Sequence, residues 1–108
     1  MYSRMSLPYR LEFCDASSLP ASPEKLLTPS ERSAYAAFPT EKRRRDWLAG
    51  RLAAKSAVRA WTTALPDSPI EVLNDASGRP YCRVPGMESA PDISISHCAQ
   101  GGVGAASG

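Results

Sequence analysis

The chain has 108 residues, 43% of them hydrophobic and 22% charged, with a net charge of +2. That length holds one small domain with a modest core, and the composition is ordinary for a globular protein. No apolar run reaches the ~18 residues of a membrane span. Residues 1–13 lack the apolar block of a secretory signal, so the expected location is cytoplasmic. Cys14, Cys82 and Cys98 cannot all pair and form no C-x-x-C, which reads as reduced thiols and excludes a zinc or disulfide framework.

Tyr9 to Phe13 alternates apolar and polar residues and predicts a short strand, followed by a Ser/Pro/Ala loop over Ala16 to Pro23. A helix start is spelled out at Thr28-Pro29-Ser30-Glu31. Thr28 caps, Pro29 suits the first helical position, and Glu31 completes a capping box. This helix runs to about Phe38, where Pro39 stops it. A second helix starts at Thr40 and reaches Thr63 or Ala64. Trp47, Ala54, Val58, Trp61 and Leu65 form its apolar stripe. Ala49, Ala53, Ala57 and Ala60, beside Gly50, make a small-residue face that another backbone can approach. Arg51, Lys55 and Arg59 recur every fourth position as a basic ridge.

Beyond Pro66 the pattern turns to strands. Ile70–Leu73 is followed by turn chemistry at Asn74–Gly78, then Tyr81–Val84 and a loop over Pro85–Pro91. Ile93–Ser96 alternates and delivers His97, and Gly102–Ala106 reads as the returning strand of a hairpin. Helices first and strands afterwards predict an α+β fold, with a mainly antiparallel sheet packed against a long helix.

Charge is unevenly spread. Glu31 to Arg59 holds eight basic residues against three acids, +5, while the rest of the chain nets −3. Such a concentration suits either a phosphate-bearing ligand or a solvated, arginine-rich helix face. His97 is the only histidine. Adjacent strand residues point to opposite faces, so Ser96 is not activated by it and no triad forms. The glycines at 101, 102 and 104 miss the G-x-G-x-x-G spacing, because Ser107 stands at the third position. Trp47 and Trp61 fall on the apolar stripe rather than among the cations, which argues against a nucleic-acid stacking platform.

The order of these segments carries more than any one of them. Glu31-Arg32, the basic cluster, Trp47-Leu-Ala-Gly-Arg51-Leu-Ala-Ala-Lys55, Gly78-Arg79-Pro80 and Ile93-Ser-Ile-Ser-His97 follow one another. Over about Leu27 to Gly108 this succession resembles the amino-terminal half of the surfactin-type 4′-phosphopantetheinyl transferases, in the holo-acyl-carrier-protein synthase superfamily. The resemblance implies transfer of phosphopantetheine from coenzyme A to a serine of an acyl or peptidyl carrier protein. It implies a pseudo-dimer of two α+β lobes with coenzyme A and Mg²⁺ between them. Residues 1–26 are then an N-terminal strand and loop, and 27–108 the coenzyme-A-binding lobe. By position, Lys42 and Arg45 resemble the cations that hold the adenosine 3′-phosphate, and Arg79 the cation near it. Ser96 and His97 resemble the pair at the same end of the cofactor. Arginine suits a phosphomonoester through bidentate hydrogen bonds, and a cationic His97 would be stabilised beside it. Arg51 also fits the motif, either toward the ligand or as the structural partner of a carboxylate.

Two parts of the family pattern are missing. No G-[IV]-D-[IV]-E segment follows His97, no Asp or Glu follows Asp92, and no later W-x-x-K-E-A helix is present. Pyrophosphate cleavage needs a metal and a base, so this chain alone is expected to be inactive, with no catalytic or metal-ligating residue. The expected partners are coenzyme A, a carrier protein and a complementary carboxy-terminal lobe, from the same or another chain. Mg²⁺ is expected only in the complete two-lobe enzyme, and neither membrane nor nucleic acid is expected. Half of a pseudo-dimer leaves an apolar surface open and the Val103–Ala106 strand near a raw edge. The alternatives are a non-catalytic remnant that binds coenzyme A or a carrier protein and, from charge alone, a nucleic-acid-binding module.

Overall fold

Two helices and five strands make up the computed structural model, which describes residues 9–62 and 69–108. Strand β1 (Tyr9–Asp15) leads through 3-10 turns at Ala16–Ser18 and Pro23–Leu26. Helix α1 (Pro29–Ala37) begins with the expected capping box. Thr28 Oγ1 accepts from the Glu31 N–H at 3.4 Å, and Glu31 Oε1 accepts from the Thr28 N–H at 2.9 Å. Helix α2 (Glu41–Thr62) is the long element; its expected end at 63 or 64, and Leu65, lie outside the described residues. Strands β2 (Glu71–Asn74) and β3 (Pro80–Arg83) form a hairpin, with Gly78 in the turn at a φ of 87°. Only glycine adopts that conformation without strain. Strands β4 (Asp92–Cys98) and β5 (Gly101–Ser107) follow.

The strands divide into two antiparallel sheets, β1-β5-β4 and β2-β3. Strand β5 is central rather than an edge. All seven residues of β1 pair with it, from Tyr9↔Ser107 to Asp15↔Gly101. The expected raw edge at Val103–Ala106 is thereby corrected: the edges are β1 and β4, because the amino-terminal strand returns to cover β5.

Helix α2 lies directly on β5. A Cβ on Gly102 would stand 2.5 Å from Gly50 N and 2.7 Å from Ala49 C, and one on Gly104 would collide with the backbone at Ala53 and Ala54. The small-residue face of the helix is therefore the face on which the sheet rests. Ala54, Val58, Ile70, Val72, Cys82 and Val84 build the core on one side of this contact. Leu19, Leu27, Leu48 and Ala49 form a second cluster. Each fully buried Val, Leu or Ile side chain contributes about 1.5–3 kcal/mol. On the outer face of β1, Tyr9, Leu11 and Phe13 stay 42%, 59% and 51% exposed.

The basic ridge is not a solvated face, since Arg51 and Lys55 are both buried. Lys55 Nζ donates to Glu31 Oε1 at 2.5 Å and to the Leu26 carbonyl at 2.8 Å. Glu31 Oε2 accepts the Val72 N–H at 2.7 Å, and the Thr28 hydroxyl donates to the Glu71 carboxylate. Burial lowers the Lys55 pKa while the Glu31 hydrogen bond opposes that shift. One carboxylate thus joins α1, α2 and β2. No helix among the described residues is long and apolar enough to cross a membrane.

Candidate anion-binding site

Trp47 and Arg51 stand one turn apart on α2, so their side chains leave the same face. The Arg51 guanidinium lies 4.9 Å from the Trp47 ring centroid, and its Nη2 donates to Asn74 Oδ1 at 2.7 Å. Trp47 is itself fixed by Tyr35 and Phe38, with ring centroids at 6.0 and 5.8 Å. Arg51 is only 6% exposed, and its Nε has no hydrogen-bond partner among the described residues. Burial lowers its pKa, with Glu31 opposing, but a guanidinium stays cationic. A buried cation with a spare donor and a neutral amide for a partner is built to receive an anion.

A cavity of about 210 Å³ opens at this group. Trp47 and Arg51 supply one wall, Asn74, Gly78 and Pro80 of the hairpin a second, and Ile95 and His97 of β4 a third. The hairpin turn is held by Asp75. Its Oδ1 accepts the N–H groups of Ser77 and Arg79, both at 2.9 Å, and the Ser77 hydroxyl at 2.7 Å. These bonds, that of the Ser77 hydroxyl first, keep the Asp75 carboxyl below the usual carboxylate range. A roomier cavity of about 630 Å³ has Lys25, Lys55 and Arg59 on its wall. Lys55 is already engaged by Glu31 and Leu26, so the smaller cavity is the better candidate for an anion.

Of the five residues assigned from the sequence, His97 lines this smaller cavity. Arg79 is exposed in the turn, between the lining residues Gly78 and Pro80. Ser96 pairs with Val103 and lies on the sheet face opposite to His97, which pairs with Gly102. Lys42 has an 84% exposed side chain and pairs with Asp46 at 2.9 Å. Arg45 donates to the Ala16 carbonyl at 2.8 Å, tying α2 to the turn after β1. Neither Lys42 nor Arg45 is part of the cavity wall. The residue left between two roles, Arg51, is its centre, and its partner is Asn74 rather than a carboxylate. Trp47 had read as core and Asn74 as turn. The available signal was the four-residue spacing that sets an indole against a guanidinium.

Magnesium, implied by the resemblance, does not fit the described residues. No group of three His, Cys, Asp or Glu side chains among them could hold a metal ion. Both Glu31 oxygens are taken, Asp46 faces Lys42, and Asp15 caps the turn at Ser17 with a lowered pKa from that backbone hydrogen bond. Nor is Cys82 a nucleophile. Burial, then the charge of Asp92, pushes its thiol up to about 11.

In this α+β fold a buried arginine, a histidine and a glycine turn border one slot, a candidate site for an anion. No protein-family model matches the chain. The holo-[acyl-carrier-protein] synthase of Staphylococcus carnosus is 38% identical over 80 residues, 69% of this chain and 67% of that protein. That of Latilactobacillus sakei is 34% identical over 80 residues, 70% of this chain and 68% of that protein. The chain spans 50% to 68% of the length of the curated relatives it matches. The Chronobacterium ammoniagenes ACPS–CoA complex superposes with a TM-score of 0.69 at 25% identity, over 94% of this chain and 96% of that one. The chain belongs to the holo-[acyl-carrier-protein] synthase family.

Proposed function

We propose that the chain serves the transfer of phosphopantetheine from coenzyme A to a serine of an acyl or peptidyl carrier protein, and that its share is to hold the adenosine 3′-phosphate. The observation that carries this reading is Arg51, buried and with an unpartnered Nε, on a cavity it shares with His97. A phosphomonoester there gains charge-assisted hydrogen bonds from a cation that solvent barely reaches. Arg79 flanks the same slot, while Lys42, Arg45 and Ser96 are kept as ligand contacts on sequence position alone. The relatives' names support the reaction, and the Chronobacterium protein, a complex with CoA, supports the ligand.

In this proposal the chain is the adenosine-binding half of a cytoplasmic, surfactin-type enzyme. A strand-and-loop segment, 1–26, precedes the lobe at 27–108, and a carboxy-terminal lobe with Mg²⁺ completes the reaction. One observation favours a second reading, a single-lobe synthase subunit. The likeness to the Chronobacterium protein runs over 96% of that chain and is not confined to an amino-terminal half.

Calorimetric titration with coenzyme A, 3′,5′-ADP and dephospho-coenzyme A tests the site. The first two bind about equally and the third much less. Equal affinity for coenzyme A and its dephospho form removes the 3′-phosphate site.

A further inference from the structure

Gly50 stands mid-way along α2, at a position where glycine is a poor helix former. Its neighbours explain it. A Cβ on Gly50 would lie 2.7 Å from His97 Nε2, 3.3 Å from His97 Cε1 and 2.7 Å from Ile95 Cγ2. Real Cβ atoms do not come that close, so the imidazole rests on bare helix backbone. A Cβ on Gly102, across the ladder from His97, would strike the backbone of α2 at Gly50 and Ala49, so β5 closes on the helix at the same residue. Gly102 lets the sheet come down on the helix; Gly50 leaves the slot that receives the ring. The next residue along the helix is Arg51, on the wall of the same cavity.

We infer that Gly50 is a positioning residue: by lacking a side chain it seats the His97 imidazole beside Arg51, and so sets the preference for a nucleotide carrying a phosphomonoester over the same nucleotide without it. The preference half of this inference rests on the reading under Proposed function; the seating half does not. In Gly50→Ala the ring must leave its seat while Arg51 keeps its partner Asn74. A methyl group carries no charge, so a selective loss of the phosphorylated ligand reports the position of the ring and not the chemistry of residue 50.

The test uses the full chain and two readouts. His97 is the only histidine, so its imidazole protons give a single, assignable set of NMR signals. In the wild type these show dipolar contacts to the Gly50 α-protons, and Gly50→Ala shifts the ring signals and abolishes contacts to residue 50. In calorimetry, Gly50→Ala weakens coenzyme A and 3′,5′-ADP by about tenfold, the scale of one charge-assisted contact, and leaves dephospho-coenzyme A, which differs from coenzyme A only by the 3′-phosphate, unchanged. His97→Ala and Gly50→Ala/His97→Ala then bind 3′,5′-ADP alike, because the seat has no ring to hold. A Gly50→Ala chain with an undisturbed ring and an intact preference overturns the inference. So does a double variant that binds ten times worse than His97→Ala, or one that fails to fold where His97→Ala folds, since Gly50 would then serve Ile95 and the packing of the sheet. A wild type that shows the dipolar contacts but no 3′-phosphate preference removes the proposed function and leaves the seating of His97 standing.

Discussion

Glu31 on α1 and Lys55 on α2 form a buried ion pair, with side chains 0% and 6% exposed. The carboxylate also accepts the Thr28 and Val72 N–H groups, and the ammonium donates to the Leu26 carbonyl, so both charges are answered by hydrogen bonds. Removing one partner leaves the other buried and uncompensated, which costs about 3–5 kcal/mol. Glu31→Ala is therefore expected to destabilise the chain by that amount in urea unfolding. Glu31→Leu with Lys55→Met should cost less than Glu31→Ala alone, and a larger loss in the pair would mean that the uncompensated charge is not what destabilises the single variant.

The turn beside the cavity gives a pH-dependent prediction. Hydrogen bonds lower the Asp75 pKa from 3.8, so the folded chain holds this carboxylate ionised to lower pH than the unfolded chain does. Its stabilisation is complete above 3.8 and is lost as pH falls below that value through the folded pKa. Asp75→Asn should lower the melting temperature at neutral pH, and the gap from wild type should close in acid. A gap independent of pH would place the effect elsewhere.

At the site itself, Arg51→Gln should weaken 3′,5′-ADP by about ten- to a hundredfold, roughly 1.5–3 kcal/mol. Arg79→Ala acts at an exposed position and should cost less, with a steeper dependence on added salt. Calorimetry at two salt concentrations ranks the two residues. A larger loss at Arg79 would move the phosphate out of the cavity and onto the turn.

Transfer is expected to be absent in the chain alone. Incubated with coenzyme A, Mg²⁺ and several apo carrier proteins, it should leave each carrier's mass unchanged. A gain of one phosphopantetheine would mean that the residues present assemble both a metal site and a base.

The outer face of β1 carries three exposed apolar side chains in a row, Tyr9, Leu11 and Phe13. Such a face associates as concentration rises. Sedimentation should show concentration-dependent self-association that Leu11→Glu suppresses without unfolding the chain. A wild type that stays monomeric across the range would refute it.

Local signals in the sequence translated well. Thr28, Pro29 and Glu31 announced the start of α1 because a capping box is contained in four consecutive residues, and the small face of α2 announced a close neighbour. What lay outside local pattern was lost. Glu31 was legible as a cap, yet its bond to Val72 spans 41 positions and its pairing with Lys55 spans 24. The return of β1 onto β5 joins the two ends of the chain, so no window of sequence could display it. Lys42 and Arg45 take their ligand role from position in the motif, and sequence does not display their contacts with Asp46 and the Ala16 carbonyl. The role of Arg51 depends on Asn74, in a hairpin that follows it by more than twenty residues, and local pattern does not display that pairing.

The Arg51 cavity takes one wall from the hairpin and another from β4, and these belong to separate sheets. Among the described residues no ladder joins the two, so their spacing is set by Cys82, Val84 and Ile93, packed behind the slot, together with Ile95 on its wall. An opening gauged by volume can be retuned one methylene at a time. Cys82→Val or Ile93→Val would alter its aperture while leaving Trp47, Arg51, Asn74 and His97 in place. The means of widening or narrowing this cavity thus sits in the hydrophobic core behind it rather than among the polar groups that border it.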